Sequence, residues 1–480
     1  GGDAEWSFDP APEEGAMQIW CWPRDRKAIA AHFAAVDETP RAIEAAVEAI
    51  IEDVRRDGDA ALARYGRKFD KVDLKPGQFE VPRAALAAAW AAAPARLRRT
   101  LQTAKRRIEQ FHRRQRLAGW TVEEPGFGRI EQRVLPLERV GVYVPAGEAP
   151  LVSTVLMDVI PARVAGVDEI CLFTPPRRDG QPDGGILAAA HLAGVDRVFR
   201  LGSAWAVAAA AFGTETVPRV DKVVGPGNAY VTTAKQRLFG RIDIESTAGV
   251  SEVLILADAT ARLEHIAADL LAQAEHSGDN PCGVILIGGD RKRAEALRRE
   301  LARRLGRLER GEMAARSIAR HGYIILVKTA EEAIELANRK APEHLEIIAR
   351  GARRMARQVR HAGAIFVGPW TPEPLGDYLA GPNHTLPTGG TARFFSPLSV
   401  WSFYRTSHTI EATREGLAKL ADDIILLAEA EGLTAHAETI RARFEPGSEA
   451  GGTRGGKQAA PTAGKRGAPG GKRAARRADS

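Results

Sequence analysis

Gln273 and His276 stand three residues apart at the end of the run Asp269-Leu-Leu-Ala-Gln-Ala-Glu-His276. The apolar period over Leu263 to His276 predicts a helix, and residues three apart share one of its faces. An amide oxygen and an imidazole so placed can converge on one ion at the helix end. A polar helix terminus with no ligand is the plainer account of the same pair. Ala341-Pro-Glu-His-Leu-Glu346 follows the next such run, and Pro342 is suited to open a new helix. Glu343 and His344, adjacent on a helix, would point about 100 degrees apart, offering two bases to different sides of one pocket. Two bases suggest two proton transfers.

Gly376 to Thr388 is a long loop of Gly, Pro and polar residues after a predicted strand, and loops of that kind are more often sites than spacers. Asp377 offers a carboxylate ligand there, and His384 can orient it from behind. In Glu431-Gly-Leu-Thr-Ala-His436 the glycine and threonine suit helix caps, which leaves His436 without a structural reason. Gln273, His276, Asp377 and His436 together form a nitrogen and oxygen set free of thiolate. That set suits zinc or another borderline divalent ion, and its spread along the chain is typical of a catalytic site. Lys222-Val-Val-Gly-Pro-Gly-Asn-Ala-Tyr230 reads as strand, glycine turn and helix start, where backbone amides can meet an anion. It lacks the third glycine of G-x-G-x-x-G.

The elements that must position these residues are α/β in pattern. Asp37 to Leu117 reads as amphipathic helices, whose basic run Arg96 to Arg116 is a solvated face rather than a nucleic-acid patch. From Gly141 short β-branched runs alternate with helices. Val140–Val144, Ile170–Phe173, Val198–Leu201, Lys222–Val224, Val253–Leu256, Val284–Ile287, Tyr323–Val327 and Ile365–Val367 read as buried strands. Such alternation gives parallel sheets covered by helices, in one sheet or two, with ligands expected at the carboxyl ends of the strands. After Ser399 the pattern returns to helix, clearest at Arg414–Glu431 and Ala435–Phe444.

The chain has 480 residues, 44% hydrophobic and 27% charged, a composition that excludes fibrous and wholly disordered classes. No apolar run reaches the roughly 18 residues of a membrane span, so no membrane partner is expected. Three cysteines at wide spacing suggest neither disulfides nor a thiolate metal site, and no secretory signal is visible, so a cytoplasmic location is expected. Of the net charge of +7, the segment Gly447–Ser480 carries +6, from eight basic residues against two acids. That tail lacks Leu, Ile, Val and aromatic residues and is expected to be disordered, with at most weak polyanion binding and no nucleic acid required for function. Its Gly451-Gly-Thr-Arg-Gly-Gly-Lys457 matches a phosphate loop in letters alone, since Gln458 replaces the Ser or Thr.

Val140-Gly-Val-Tyr-Val-Pro145, Gly225-Pro-Gly-Asn-Ala-Tyr230, Asp269 to His276, Ala341 to Glu346 and Gly376-Asp-Tyr-Leu-Ala-Gly-Pro-Asn-His384, in this order, resemble the histidinol dehydrogenase family from about Asp37 to Phe444. The resemblance implies an NAD-dependent, zinc-containing homodimer with shared active sites, oxidising L-histidinol twice to L-histidine in histidine biosynthesis. It implies two Rossmann-like parallel-sheet domains with small helical N- and C-terminal segments. The expected division is an N-terminal segment 1–37, a first domain 38–142 plus 252–398 with the metal and catalytic residues, and a second domain 143–251 with the nucleotide contacts. A helical segment 399–446 and the tail 447–480 complete it. By the family pattern Gln273, His276, Asp377 and His436 bind zinc, with His436 and Glu431 supplied by the partner subunit. Ser251, Gln273, His276, His344, Asp377, Glu431 and His436 fall at substrate positions; Tyr143, Trp205 and Asn228 fall at nucleotide positions. The residue chemistry agrees: an imidazole near its ordinary pKa, His344, suits the hydroxyl proton, and a carboxylate, Glu343, suits activation of water for the aldehyde step.

The chain departs from the family where Trp205 replaces a glutamine, a change that exchanges a hydrogen-bond acceptor for a ring able to stack. Val250 and the stretch Arg405 to Thr409 also differ from the common form. A dehydrogenase of another small alcohol keeps the same fold and zinc. A zinc hydrolase, with Glu343 activating water and no nucleotide, is the alternative from another class, and the absence of H-E-x-x-H counts against it.

Overall fold

The structure is a computed structural model, described here for residues 17–34, 40–146, 150–247 and 249–445. The N-terminal residues 1–16 and the basic tail therefore lie outside the described residues. The described residues form two compact units, those up to 119 with 132–407 and residues 120–131 with those from 408 onward.

The strands in chain order are β1 (Gln18–Cys21), β2 (Trp120–Glu124), β3 (Gly128–Pro136), β4 (Arg139–Tyr143), β5 (Glu169–Phe173), β6 (Arg197–Phe199) and β7 (Lys222–Val224). They continue as β8 (Asp243–Ile244), β9 (Val253–Ala257), β10 (Cys282–Ile287), β11 (Gly322–Val327), β12 (His344–Ile348), β13 (Ala364–Val367) and β14 (Tyr404–Ala412). The first unit holds two parallel sheets, one of six strands in the order β1-β11-β10-β9-β12-β13 and one of five in the order β6-β5-β4-β7-β8. The choice between one sheet and two is thereby settled as two.

Alternation along each strand divides each sheet between two cores. Val140 and Val142 of β4 join a core with Val155, Val159 and Ile186, while Tyr143 joins the opposite one with Phe173, Phe199 and Val207. In the larger sheet Val253, Ile255, Val284 and Ile324 face one core and Leu254, Leu256, Ile285 and Leu345 the other. All eight expected strands are found, because strands buried on both faces read as continuous apolar runs, although β13 is a sheet edge with Ile365 exposed rather than a buried strand.

Three features differ from expectation. The helices of residues 41–112 were grouped with the metal-bearing half, yet Val47, Ile50 and Val54 pack with Val207 and Val231 against the five-stranded sheet, and Leu101 and Ile108 enter its other core. Sequence adjacency does not fix which sheet an amphipathic face covers. After Ser399 the chain does not pass directly to helix, because Tyr404–Ala412 forms β14 of a three-stranded sheet in the order β14-β3-β2. Its solvent-facing residues hide the period of a strand. Finally β1, within the expected N-terminal segment, pairs in parallel with β11, Gln18 opposite Tyr323. The second unit carries the helices Arg414–Ala430 and Thr434–Arg441, the first capped by Thr413 Oγ1 accepting from Gly416 N at 2.9 Å.

Candidate active site

The chemistry-bearing residues of the six-stranded sheet gather at the amino ends of its strands, where the carboxyl ends were expected. Ser251 precedes β9, Glu343 and His344 open β12, and the helix Leu263–Ala274 delivers Gln273 and His276 just before β10. The connecting helices run back against the strands, so their carboxyl ends, which favour cations, meet the amino ends of the strands. The helix Glu373–Tyr378, after β13, brings Asp377.

The helix expected from Pro342 is also replaced. The helix Ala330–Lys340 stops at Ala341, φ +53°, and His344-Leu-Glu-Ile-Ile enters the sheet between β9 and β13. Burial of all five side chains outweighs the local preference for a helix start. Ala341 is one of three non-glycine residues with positive φ among the described residues, with Lys71 and Ser203. Strained backbone of this kind persists where surrounding structure enforces it, and at Ala341 it sets up the entry of the following residues into the sheet.

Ser251, His276, Glu343, His344, Asp377 and Tyr378 line a cavity of about 160 Å³. Ser251 Oγ donates to Glu343 Oε2 at 2.5 Å and Glu252 N donates to the same oxygen at 2.9 Å. Burial pushes the Glu343 carboxyl up to about 8, against the downward pull of those two hydrogen bonds. His344 Nδ1 lies 3.1 Å from the carbonyl oxygen of Glu252. A carbonyl only accepts, so Nδ1 carries the proton and the lone pair sits on Nε2. That Nε2 is buried and has no hydrogen-bond partner. Burial also lowers the His344 pKa, which keeps the ring neutral and basic at Nε2. Behind it, the buried Glu252 pairs with Lys340, which is only partly exposed.

Ligand atoms of His276, Glu373 and Asp377 lie within 4.8 Å of one another. Desolvation raises Asp377 to about 6 and raises Glu373 well above the carboxylate range. The amide of Gln273 has one end 3.2 Å from His344 Nδ1 and 3.3 Å from both carboxylate oxygens of Glu373. That end is the amide nitrogen, whose donation satisfies the Glu373 carboxylate. The His276 imidazole and the Glu373 and Asp377 carboxylates, together with the Gln273 amide oxygen once that amide turns over, make a nitrogen and oxygen donor set that fits a divalent metal. Glu373 is the residue that sequence reading missed. Its signal was present in the spacing, since it lies four residues before Asp377, one turn away on the same face.

His384 does not touch the Asp377 carboxylate. Its Nδ1 lies 3.1 Å from the Asp377 carbonyl oxygen and its Nε2 3.1 Å from Thr154 Oγ1, so it anchors backbone instead. Burial lowers its pKa to about 4. Glu431 and His436 stand exposed in the second unit, at the end of the helix Arg414–Ala430 and within the helix Thr434–Arg441.

A second cavity of about 640 Å³ lies at the carboxyl ends of the five-stranded sheet and is lined by Tyr143, Trp205 and Asn228, with His276 and Leu151 shared between both cavities. Tyr143 Oη accepts from Ser203 N at 3.0 Å, and Asn228 Oδ1 caps a helix by accepting from Tyr230 N and Val231 N. Trp205 is only 3% exposed. Its stacking partners are protein rings, Tyr65 at 5.7 Å and Phe69 at 5.6 Å, so its indole completes an aromatic wall rather than waiting for a ligand ring.

The comparisons agree with this geometry. A family model described as histidinol dehydrogenase matches residues 35–444. Histidinol dehydrogenase of Syntrophotalea carbinolica is 47% identical over 419 residues, covering 87% of this chain and 96% of that relative. The Aquifex aeolicus enzyme of that name is 47% identical, covering 83% of this chain and 92% of its own. The crystal structure of histidinol dehydrogenase from Elizabethkingia anophelis superimposes with a TM-score of 0.82 at 35% identity, covering 90% of this chain and 99% of that one. By the family model, the relatives and the fold, this chain belongs to the histidinol dehydrogenase family.

Proposed function

We propose that this chain oxidises L-histidinol through L-histidinal to L-histidine with two equivalents of NAD, as a zinc-containing homodimer. The observation that carries the reading is the His344 imidazole, proton fixed on Nδ1 by the Glu252 carbonyl and lone pair bare on Nε2, beside a carboxyl held by Ser251. Such a nitrogen takes the hydroxyl proton as hydride departs to the nicotinamide. Glu343, once ionised, is a strong base by virtue of its raised pKa and takes a proton from the water that adds to the aldehyde. The hydrate is again an alcohol, and His344 serves a second time. The junction of the two cavities at His276 and Leu151 supports hydride transfer between a substrate in one and a nucleotide in the other.

Gln273, His276 and Asp377 would hold zinc, with His436 of a second copy completing the set, and Glu431 of that copy would meet the substrate. Bound zinc supplies a fixed anchor for the imidazole and amine of the substrate. The exposure of Glu431 and His436 supports their delivery to another copy. NADH formation from L-histidinol by the purified chain, before and after chelation, tests this reading. Turnover lost with the metal and restored by zinc is expected; turnover of an amide without NAD would favour a hydrolase instead.

A further inference from the structure

In the dinucleotide-binding form of a parallel sheet wound like β6-β5-β4-β7-β8, the adenosine half lies toward the second strand, and an acid near that strand's end accepts from the ribose hydroxyls. The second strand here is β5, and it ends Phe173-Thr174-Pro175-Pro176 with no acid. An acid nevertheless reaches the cavity from a different element. Residues Gly66–Asp70 form a single π turn, closed by Lys71 at φ +60°, and that turn sets Phe69 and Asp70 into the cavity lining with Pro175, Ser203 and Trp205. Turns of this type are frequent at functional sites.

Asp70 forms no hydrogen bond and no ion pair with the described residues, and burial alone pushes its carboxyl up to about 7. Phe69 beside it is half-exposed, and Trp205 and Tyr65 stack behind it at 5.6 and 6.1 Å. Among the described residues lining the cavity the one guanidinium is Arg310, and there is no lysine. The Asp70 carboxylate is thus an acceptor without a donor in a cavity of ligand size, next to a ring of the kind that nucleotide bases stack on.

We propose that Asp70 is the ribose-binding acid of this chain, accepting from the vicinal hydroxyls of the adenosine ribose and thereby rejecting a nucleotide that carries a 2′-phosphate. The proposal rests on the NAD-dependent reading above and adds the residue that sets the choice of nucleotide. A carboxylate gains two donors from a free diol, whereas a phosphate in the same place removes one donor and sets like charges together.

Two measurements on the full-length, zinc-loaded protein test it. Calorimetric titration of wild type with adenosine 5′-diphosphate and with adenosine 2′,5′-diphosphate should show the first binding about tenfold or more tightly. Steady-state kinetics with L-histidinol should show Asp70→Asn raising the KM for NAD about tenfold with kcat nearly unchanged, and narrowing the NAD-over-NADP preference in kcat/KM by a similar factor. Zinc content and the KM for L-histidinol are the controls for folding. Equal binding of the two diphosphates, no binding of either, or an Asp70→Asn protein with intact controls and an unchanged NADP preference would each overturn the proposal. Absence of histidinol oxidation by wild type would instead overturn the functional reading, and the diphosphate titration reads the Asp70 site independently of it.

Discussion

Glu343 and His344 are neighbours in sequence with separate tasks, and single substitutions should separate them. His344→Asn removes the Nε2 lone pair and is expected to slow both oxidations by about 10²- to 10⁴-fold, with zinc content unchanged. Glu343→Gln keeps an acceptor for Ser251 Oγ and Glu252 N but removes the base, so the alcohol step should persist while aldehyde oxidation falls by a comparable factor. Trapping the aldehyde with a hydrazine reagent reads the difference. In wild type the aldehyde step should accelerate as pH rises toward about 8, because a raised carboxyl pKa keeps Glu343 protonated below that value. The sequence showed Glu343 and His344 as two adjacent bases, but adjacency alone, which recurs at Glu264-His265 and Glu275-His276, does not single them out. Glu373 was hidden because Pro372-Glu373-Pro374 looks like loop punctuation, and the partnering of His344 Nδ1 with a backbone carbonyl leaves no trace in side-chain types.

At the scale of elements, the β-branched runs made the strands legible, whereas their direction relative to the site was not. Pairing order and the antiparallel return of each helix decide which strand ends meet the cavity, and neither is written in periodicity. β12 was missed for a related reason: His344 and Glu346 are polar residues inside a fully buried strand, which interrupts the apolar run that marks its neighbours. The turn after β7 offers a test of how the nucleotide end is built. Gly225 has φ +112°, and a Cβ there would lie 2.1 Å from the Tyr143 carbonyl oxygen and 3.0 Å from Asp158 Oδ2. Gly225→Ala should therefore lower stability by roughly 1–3 kcal/mol in thermal unfolding and raise the KM for NAD more than that for L-histidinol. Asp158 beneath it is fully buried, accepts from Thr385 Oγ1 at 2.7 Å, and is raised by burial to about 8 from an ordinary 3.8. The folded chain binds that proton more tightly than the unfolded chain, so this group's contribution to stability is full below the unfolded pKa and is lost as pH rises toward 8. Asp158→Asn should flatten that decline by at most about 1.4 kcal/mol per pH unit, measured as denaturant midpoints across the window.

For the whole molecule, the reading of Glu431 and His436 as residues given to another copy makes a sharp statement about assembly. His344→Asn and His436→Ala proteins should each be inactive alone. Unfolded together and refolded, half of the dimers pair one of each kind, and one of the two sites in such a dimer is intact, so about a quarter of wild-type activity should return. No return would place both residues in one chain's own site. The charge distribution was legible from sequence at this scale, with the tail carrying nearly all of the excess. The packing of the N-terminal helices on the five-stranded sheet was not, because an amphipathic face does not name its partner. Among the described residues no helix is long and apolar enough to cross a membrane. The most direct test of the account as a whole is the number of NADH molecules formed for each L-histidinol consumed when L-histidinol is limiting. Two oxidations at one twice-used imidazole predict a ratio near two with no free aldehyde; a ratio near one, or aldehyde as the released product, would contradict it.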